Sequence, residues 1–265
     1  MTQPNPEDFP SAPWGVSAAY LYVLDLDNPA LAWEYLRRHP NYRSDWVRRL
    51  RGVSFARWGL RVAEHPDKDG RNAQPLWLSS SDDLLHVRPA HAHNSTTRRF
   101  DLWRIPGRKR LALDGRDLAL TADLSAQRMR LTLSGGLTDG AAYASAVSLA
   151  PHLRGQLDTL SAQAQALEGH TPQVDPARAV SRAALLHLRA LQAFDASHAG
   201  ASHRDIAQAL FGLEAVVLRW HEDGELRAQV RHLLRRAEAY VTRGYLALAG
   251  VSHPAAKDPG DERVR

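Results

Sequence analysis

The chain has 265 residues, no cysteine, and a formal net charge of +5 from 34 basic and 29 acidic side chains. Without Cys there are no disulfides, zinc fingers or thiol nucleophiles to consider, and a hydrophobic share of 44% suffices for one large core or two or three small ones. The longest apolar run, residues 18–24, contains two tyrosines and is far too short to span a bilayer, and the first fifteen residues are polar and Pro-rich without a basic leader, so a cytoplasmic location with no membrane partner is expected.

Residues 1–17 and 252–265 carry Pro and mixed charge and are expected to be disordered ends. Asn28 and Pro29 suit an N-cap and a first helical residue for a helix through Arg38; His39-Pro40-Asn41 breaks it, and Ser44 opens a second short helix to Arg51. The result is a helical hairpin. Over residues 34–61 eight arginines (Arg37, Arg38, Arg43, Arg48, Arg49, Arg51, Arg57 and Arg61) face two acids, Glu34 and Asp45, a net of +6. Over residues 201–249 seven arginines and six acids leave only +1. Two readings of the N-terminal stretch stand side by side. Arg37, Arg38, Arg43, Arg48 and Arg49 form a secondary basic patch with Trp33, Tyr35, Tyr42, Trp46 and Trp58 stacking on bases, or the aromatics are the hairpin's own core and the arginines its wet face.

From residue 53 to 133 the pattern changes to short strand-like runs at 55–62, 75–78, 84–87, 100–105, 110–113, 117–120 and 128–133. Turns fit at Pro106-Gly107, Asp114-Gly115 and Gly135-Gly136, which predicts an antiparallel sheet. The basic cluster from Arg98 to Arg110 reads as a strand edge kept soluble by charge. His91-x-His93-Asn94 is a tight histidine pair without a carboxylate at ligand spacing, and Asp82-Asp83 reads as a turn, so neither metal nor cofactor is expected. There is no P-loop, no dinucleotide fingerprint and no Gly-x-Ser-x-Gly elbow, and an enzyme is not expected. Helical patterns return at 141–167, bent around Pro151, and at 176–196.

Ser202 then opens a helix with Asp205 placed to return a capping bond, Ile206, Ala207 and Leu210 on one face, and Gly212 as a left-handed stop. A small residue at Ala207 lets a second helix cross closely, with Val217 and Trp220 as crossing positions. A long helix follows Gly224. Leu226, Val230, Leu233, Leu234, Ala237 and Val241 share one face, and Ala228, Arg231, His232, Arg235 and Ala239 share the other. Arginines interleaved with alanines suit a helix approaching a polyanion, so Arg204, Arg227, Arg231, His232, Arg235 and Arg236 are the candidate DNA contacts. Either residues 213–221 or residues 226–241 enter the groove. The predicted fold class is α+β: the helical hairpin and strands at 18–100, sheet plus helix at 101–170 for oligomerisation or an effector, and an all-α helix-turn-helix domain at 171–250.

These residues carry a resemblance. Arg204-x-Ile206-Ala207-x-x-Leu210-Phe211-Gly212, Trp220, Leu226-Arg227-x-x-Val230-Arg231-x-Leu233-x-Arg235-Arg236 and Gly244-Tyr245 resemble the C-terminal DNA-binding domain of RovC-like and FseA-like transcriptional activators. Trp33-Glu34-Tyr35-Leu36-Arg37-Arg38-His39-Pro40-Asn41-Tyr42-Arg43 looks like the proteobacterial regulator-like module that precedes it. The resemblance implies promoter DNA as partner, activation of type VI secretion genes or of excision and transfer genes of integrative conjugative elements, and homo-oligomers larger than a dimer. The sheet or the hairpin would serve assembly or contact RNA polymerase, and a fragment beginning near Pro172 would keep its operator preference. The alternative from another class is a protein-interaction module, an antiactivator or assembly partner, whose arginine helix meets an acidic protein surface.

Overall fold

The computed structural model describes residues 13–78, 85–90, 98–124, 128–146, 153–171, 180–221 and 224–251. The His91 and His93 pair and Asp82-Asp83 lie outside them.

The N-terminal hairpin forms with shifted boundaries. Helix α1 (Asn28–Leu36) is capped by Asp27, whose carboxylate accepts the Ala30 N–H at 2.9 Å, so Asn28 is already helical. Helix α2 (Pro40–Val47) starts at Pro40, not at Ser44: a first-turn proline has no intrahelical hydrogen bond to lose, and His39 Nδ1 accepts from the Asn41 N–H at 3.1 Å. The expected breaker is thus the second helix's start. A 3-10 helix, Ser17–Asp25, runs ahead of both.

Four of the seven expected strands form, joined by one that was not expected. β1 (Leu85–Pro89), β2 (Arg108–Asp114), β3 (Asp117–Asp123), β4 (Arg128–Leu133) and β5 (Tyr143–Ala146) make one sheet in the order β2-β3-β4-β1-β5. Every neighbouring pair is antiparallel except β1 with β4. Gly115, at φ +64, closes the two-residue turn between β2 and β3 in a backbone region that other residues avoid. β5 occupies the start of the expected 141–167 helix, which begins only at α3 (Leu153–Leu167). The runs at 55–62 and 75–78 are not strands: they share one isolated bridge, Leu60↔Trp77, and turn Trp58, Leu60 and Trp77 into a helical core. The run at 100–105 becomes a 3-10 turn, Leu102–Arg104, because the Asp101 carboxylate captures the N–H groups of Trp103 and Arg104.

C-terminal helices α4 (Arg182–His198), α5 (His203–Phe211), α6 (Leu213–Arg219), α7 (Glu225–Ala239) and α8 (Tyr245–Leu248) complete an α+β fold, with one π-helical turn, Tyr240–Gly244, between the last two. Two cores result. One lies between the sheet and the end of α3, around Leu120, Met129, Leu131 and Ala166. The other joins Trp33, Tyr35, Tyr42, Trp58 and Trp77 of the N-terminal part to Leu188, Leu191, Ile206, Val230, Leu233 and Tyr245 of the C-terminal part. The first and last parts of the chain therefore build one hydrophobic unit, and the sheet is inserted between them in sequence. The expected operator preference of a fragment from Pro172 conflicts with this packing, because such a fragment lacks the N-terminal share of its own core, from Tyr20 to Trp77.

Candidate nucleic-acid interface

The helical core holds α7 with one face buried. Leu226, Val230, Leu233, Leu234 and Ala237 point inward, while Ala228, Arg231, His232, Arg235 and Ala239 are exposed. This is the division that the 3.6-residue period requires. Among the described residues no carboxylate pairs with Arg231 or Arg235; the Arg235 Nε donates only to the Arg231 carbonyl, at 3.4 Å. Arg231, Leu234, Arg235 and Glu238 line an open cleft together with His203, which the sequence reading did not single out. Arg204 stands beside His203 on the exposed first turn of α5.

That first turn is fixed by a complete capping box: Ser202 Oγ accepts from the Asp205 N–H at 3.2 Å, and the Asp205 carboxylate accepts from the Ser202 N–H at 3.1 Å. The Ser202 hydroxyl, which donates to the Asp205 carboxylate at 2.6 Å, and the Ser202 N–H hold that carboxyl below its ordinary value. Ile206 and Ala207 are fully buried under the crossing helices. Gly212 separates α5 from α6, but with φ +88 and ψ +156 it is not the left-handed stop expected; it takes an extended conformation reserved for glycine, which lets one residue turn the chain between two helices. On α6 the residue that crosses inward is Val216, not Val217, and Leu213, Val217 and Leu218 face solvent.

The remaining candidates on α7 lie differently. Arg227 is half-buried, its guanidinium 5.8 Å from the Trp220 ring. Arg236 is half-buried 5.1 Å from the Tyr240 ring, in a cluster where Tyr240 stacks on Tyr35 at 4.9 Å and the Tyr35 hydroxyl lies 2.7 Å from His187 Nδ1. Burial, reinforced by the charge of Arg236, pushes His187 down to about 4. Six candidates from the sequence thus divide: Arg204, Arg231, His232 and Arg235 lie on the surface, and Arg227 and Arg236 are packed against aromatic rings.

The N-terminal basic patch is a different kind of object, because three of its five arginines, Arg37, Arg38 and Arg43, are held in ion pairs. Arg38 is nearly inaccessible: its Nε and one terminal nitrogen clasp Asp195 of α4 at 2.7 and 2.8 Å, and its other terminal nitrogen donates to Glu34. Tyr20 donates to the same Asp195 at 2.7 Å. Glu34, fully buried on α1, also accepts from Arg37 and from the Gly70 N–H. Burial alone would raise the Glu34 carboxyl, but Arg37 and Arg38 outweigh it and hold it at about 2. Arg43 bonds Asp67, and Arg57 bonds Asp45, which also accepts from the Trp58 indole. Only Arg48 and Arg49 of the five named in the patch are exposed, Arg49 lying 3.9 Å over the Trp46 ring. Trp33, Tyr35, Tyr42 and Trp58 are core residues, as the second reading held, with Tyr42 meeting Trp33 and Trp58 edge-on at 5.5 and 5.8 Å.

Comparison with known families now adds to this geometry. Residues 146–249 match the RovC DNA-binding domain, described as a DNA-binding domain of a type VI secretion transcription factor. The C-terminal part is RovC-like. Residues 13–63 match the proteobacterial transcriptional regulator-like domain, and residues 82–128 match a domain of unknown function, DUF7011. No curated protein matches the chain. The RovC-like match covers α3 to α8 and so includes the exposed arginines of α7; the regulator-like match covers α1 and α2 and includes both the ion-paired Arg37, Arg38, Arg43 and Arg57 and the exposed Arg48 and Arg49. Among the described residues no helix is long and apolar enough to cross a membrane.

Proposed function

We propose that the protein is a sequence-specific transcriptional activator that contacts double-stranded DNA through the outer face of α7. Arg231, His232 and Arg235 meet the duplex, Arg204 adds a contact from the start of α5, and Arg227 and Arg236 brace the helix against Trp220 and Tyr240. The observation that carries this reading is that Arg231 and Arg235 face outward without a carboxylate partner among the described residues, on a helix whose other face is locked in the core. A rigid helix holding unneutralised guanidinium groups is what phosphate and guanine recognition requires. The match to a transcription-factor DNA-binding domain supports it. Its targets are type VI secretion genes or the transfer and excision genes of an integrative conjugative element, and it works as a homo-oligomer that contacts RNA polymerase. Repeated half-sites are the usual way in which a small helical reader reaches genome-scale specificity.

One observation favours a second reading. Leu213, Val217 and Leu218 leave an apolar surface on α6 that a protein partner would cover, as in an assembly module without sequence preference. Equilibrium competition separates the two. A promoter fragment recovered by genomic protection mapping is expected to out-compete random DNA by about a thousandfold or more. Equal affinities would leave only the interaction module.

A further inference from the structure

β2 is an end strand of the sheet, and among the described residues nothing hydrogen-bonds to its outer edge. The two-residue turn makes Asp114 and Asp117 a hydrogen-bonded pair, so Arg108, Arg110 and Ala112 bond inward to β3 by alternation. The N–H and C=O groups of Lys109, Leu111 and Leu113 therefore point outward. Leu111 and Leu113 sit opposite Leu120 and Leu118, which places their side chains on the face that carries the second core. They are nevertheless 45% and 73% exposed. Trp103, 78% exposed, stands beside the same face with the Lys109 ammonium 5.8 Å from its ring. Among the described residues the apolar face of the sheet thus continues uncovered to an open edge.

We propose that this edge is where two copies of the chain join, β2 pairing antiparallel with β2 of the second copy about a two-fold axis at Leu111. The register follows from the residues. Centring on Leu111 sets position 111 opposite position 111 and position 109 opposite position 113, so all of the outward backbone groups find partners. Arg108 then falls opposite Asp114 of the second copy at both ends of the ladder, and Arg110 falls opposite Ala112. The three cations at one end of β2 would bar a parallel pairing by stacking like charges, whereas this antiparallel one keeps the two sets apart and sets Arg108 against Asp114. On one face Leu111 meets Leu111 of the second copy, and each Leu113 lies diagonal to it, opposite the aliphatic stem of Lys109, with Trp103 at the flank. This gives the homo-oligomer proposed above its surface, and because it is tested without DNA its failure is separate from failure of DNA recognition.

The native chain has no cysteine, so a single engineered one reports on its own position. Under mild oxidation Leu111→Cys is expected to give a covalent dimer, because residues opposite each other in such a pair have Cα atoms about 5.5 Å apart, within disulfide reach. Leu50→Cys, 90% exposed far along the chain, serves as the control for random collision. In light scattering Leu113→Lys should weaken self-association about tenfold or more while circular dichroism and unfolding stay unchanged, since the side chain lies on the surface of the single copy. Arg108→Asp should weaken it as well, and adding Asp114→Arg should restore it. A Leu111→Cys dimer that forms no faster than the Leu50→Cys one, or self-association indifferent to Leu113→Lys, would overturn the proposal.

Discussion

The two arginine-rich stretches of this protein use the same side chain for opposite purposes. Residues 34–61 hold the larger net charge, yet Arg37, Arg38, Arg43 and Arg57 are spent on Glu34, Asp195, Asp67 and Asp45, which leaves Arg48, Arg49 and Arg61 as the other exposed arginines among the described side chains. On α7 the sequence is almost charge-neutral in its neighbourhood, yet Arg231 and Arg235 face solvent without a carboxylate partner among the described residues. Net charge counted along a chain therefore says little about the field a DNA duplex would meet; what matters is which charges the fold neutralises. In the N-terminal module Arg38 is a clamp between α1 and α4, and on α7 arginine is the proposed contact surface.

The strongest way to break this comparison is to separate its halves. A fragment beginning at Pro172 would expose the side of Leu188, Leu191 and Tyr245 that packs on Tyr35, Trp58 and Trp77. It is expected to lose its cooperative unfolding transition in calorimetry. A fragment that unfolds sharply and binds the operator would show that the shared core is dispensable. Next in size is the clamp. Arg38→Ala leaves the nearly buried Asp195 with only the Tyr20 hydroxyl and the buried Glu34 with Arg37 as its one cation, and should cost about 3–5 kcal/mol in denaturant unfolding.

Acid should weaken the same seam. His187 is held at about 4, below its ordinary 6.5, by burial and by Arg236. A depressed value means that folding favours the neutral ring, so its contribution is full above pH ~6.5 and is lost as pH falls towards 4, by about 3 kcal/mol in all. Glu34, held at about 2, extends the loss to lower pH as its carboxylate takes up a proton. In His187→Leu the upper part of the profile should flatten, and a slope that persists between pH 6.5 and 4.5 would place the titration elsewhere.

Much of this architecture was legible in the residues. The apolar period of α7, the Ser202–Asp205 cap and the β2–β3 turn at Gly115 are local signals, each set by a few neighbours, and the structure has them. What the sequence hid was non-local. Nothing near Arg38 shows that its partner is Asp195, 157 positions away, or that Tyr35 would stack on Tyr240. The runs at 55–62 and 75–78 have the composition of strands, yet their aromatic residues are claimed by a helical core assembled from both ends of the chain. His203 gave no signal of its own, because it reaches the α7 cleft only once α5 folds across.

The most direct test of the division between clamp and contact compares two double variants on one promoter fragment: Arg231→Ala with Arg235→Ala on α7, and Arg48→Ala with Arg49→Ala on the exposed end of the N-terminal module. With thermal stability checked to be unchanged in both, each α7 substitution should weaken specific binding by about 1–3 kcal/mol and reduce the preference over random DNA. The Arg48 and Arg49 pair should lower affinity slightly and equally for every sequence, with a shallower dependence on salt. An α7 variant that keeps the full preference, while the Arg48 and Arg49 variant loses it, would contradict the account and move recognition to the N-terminal module.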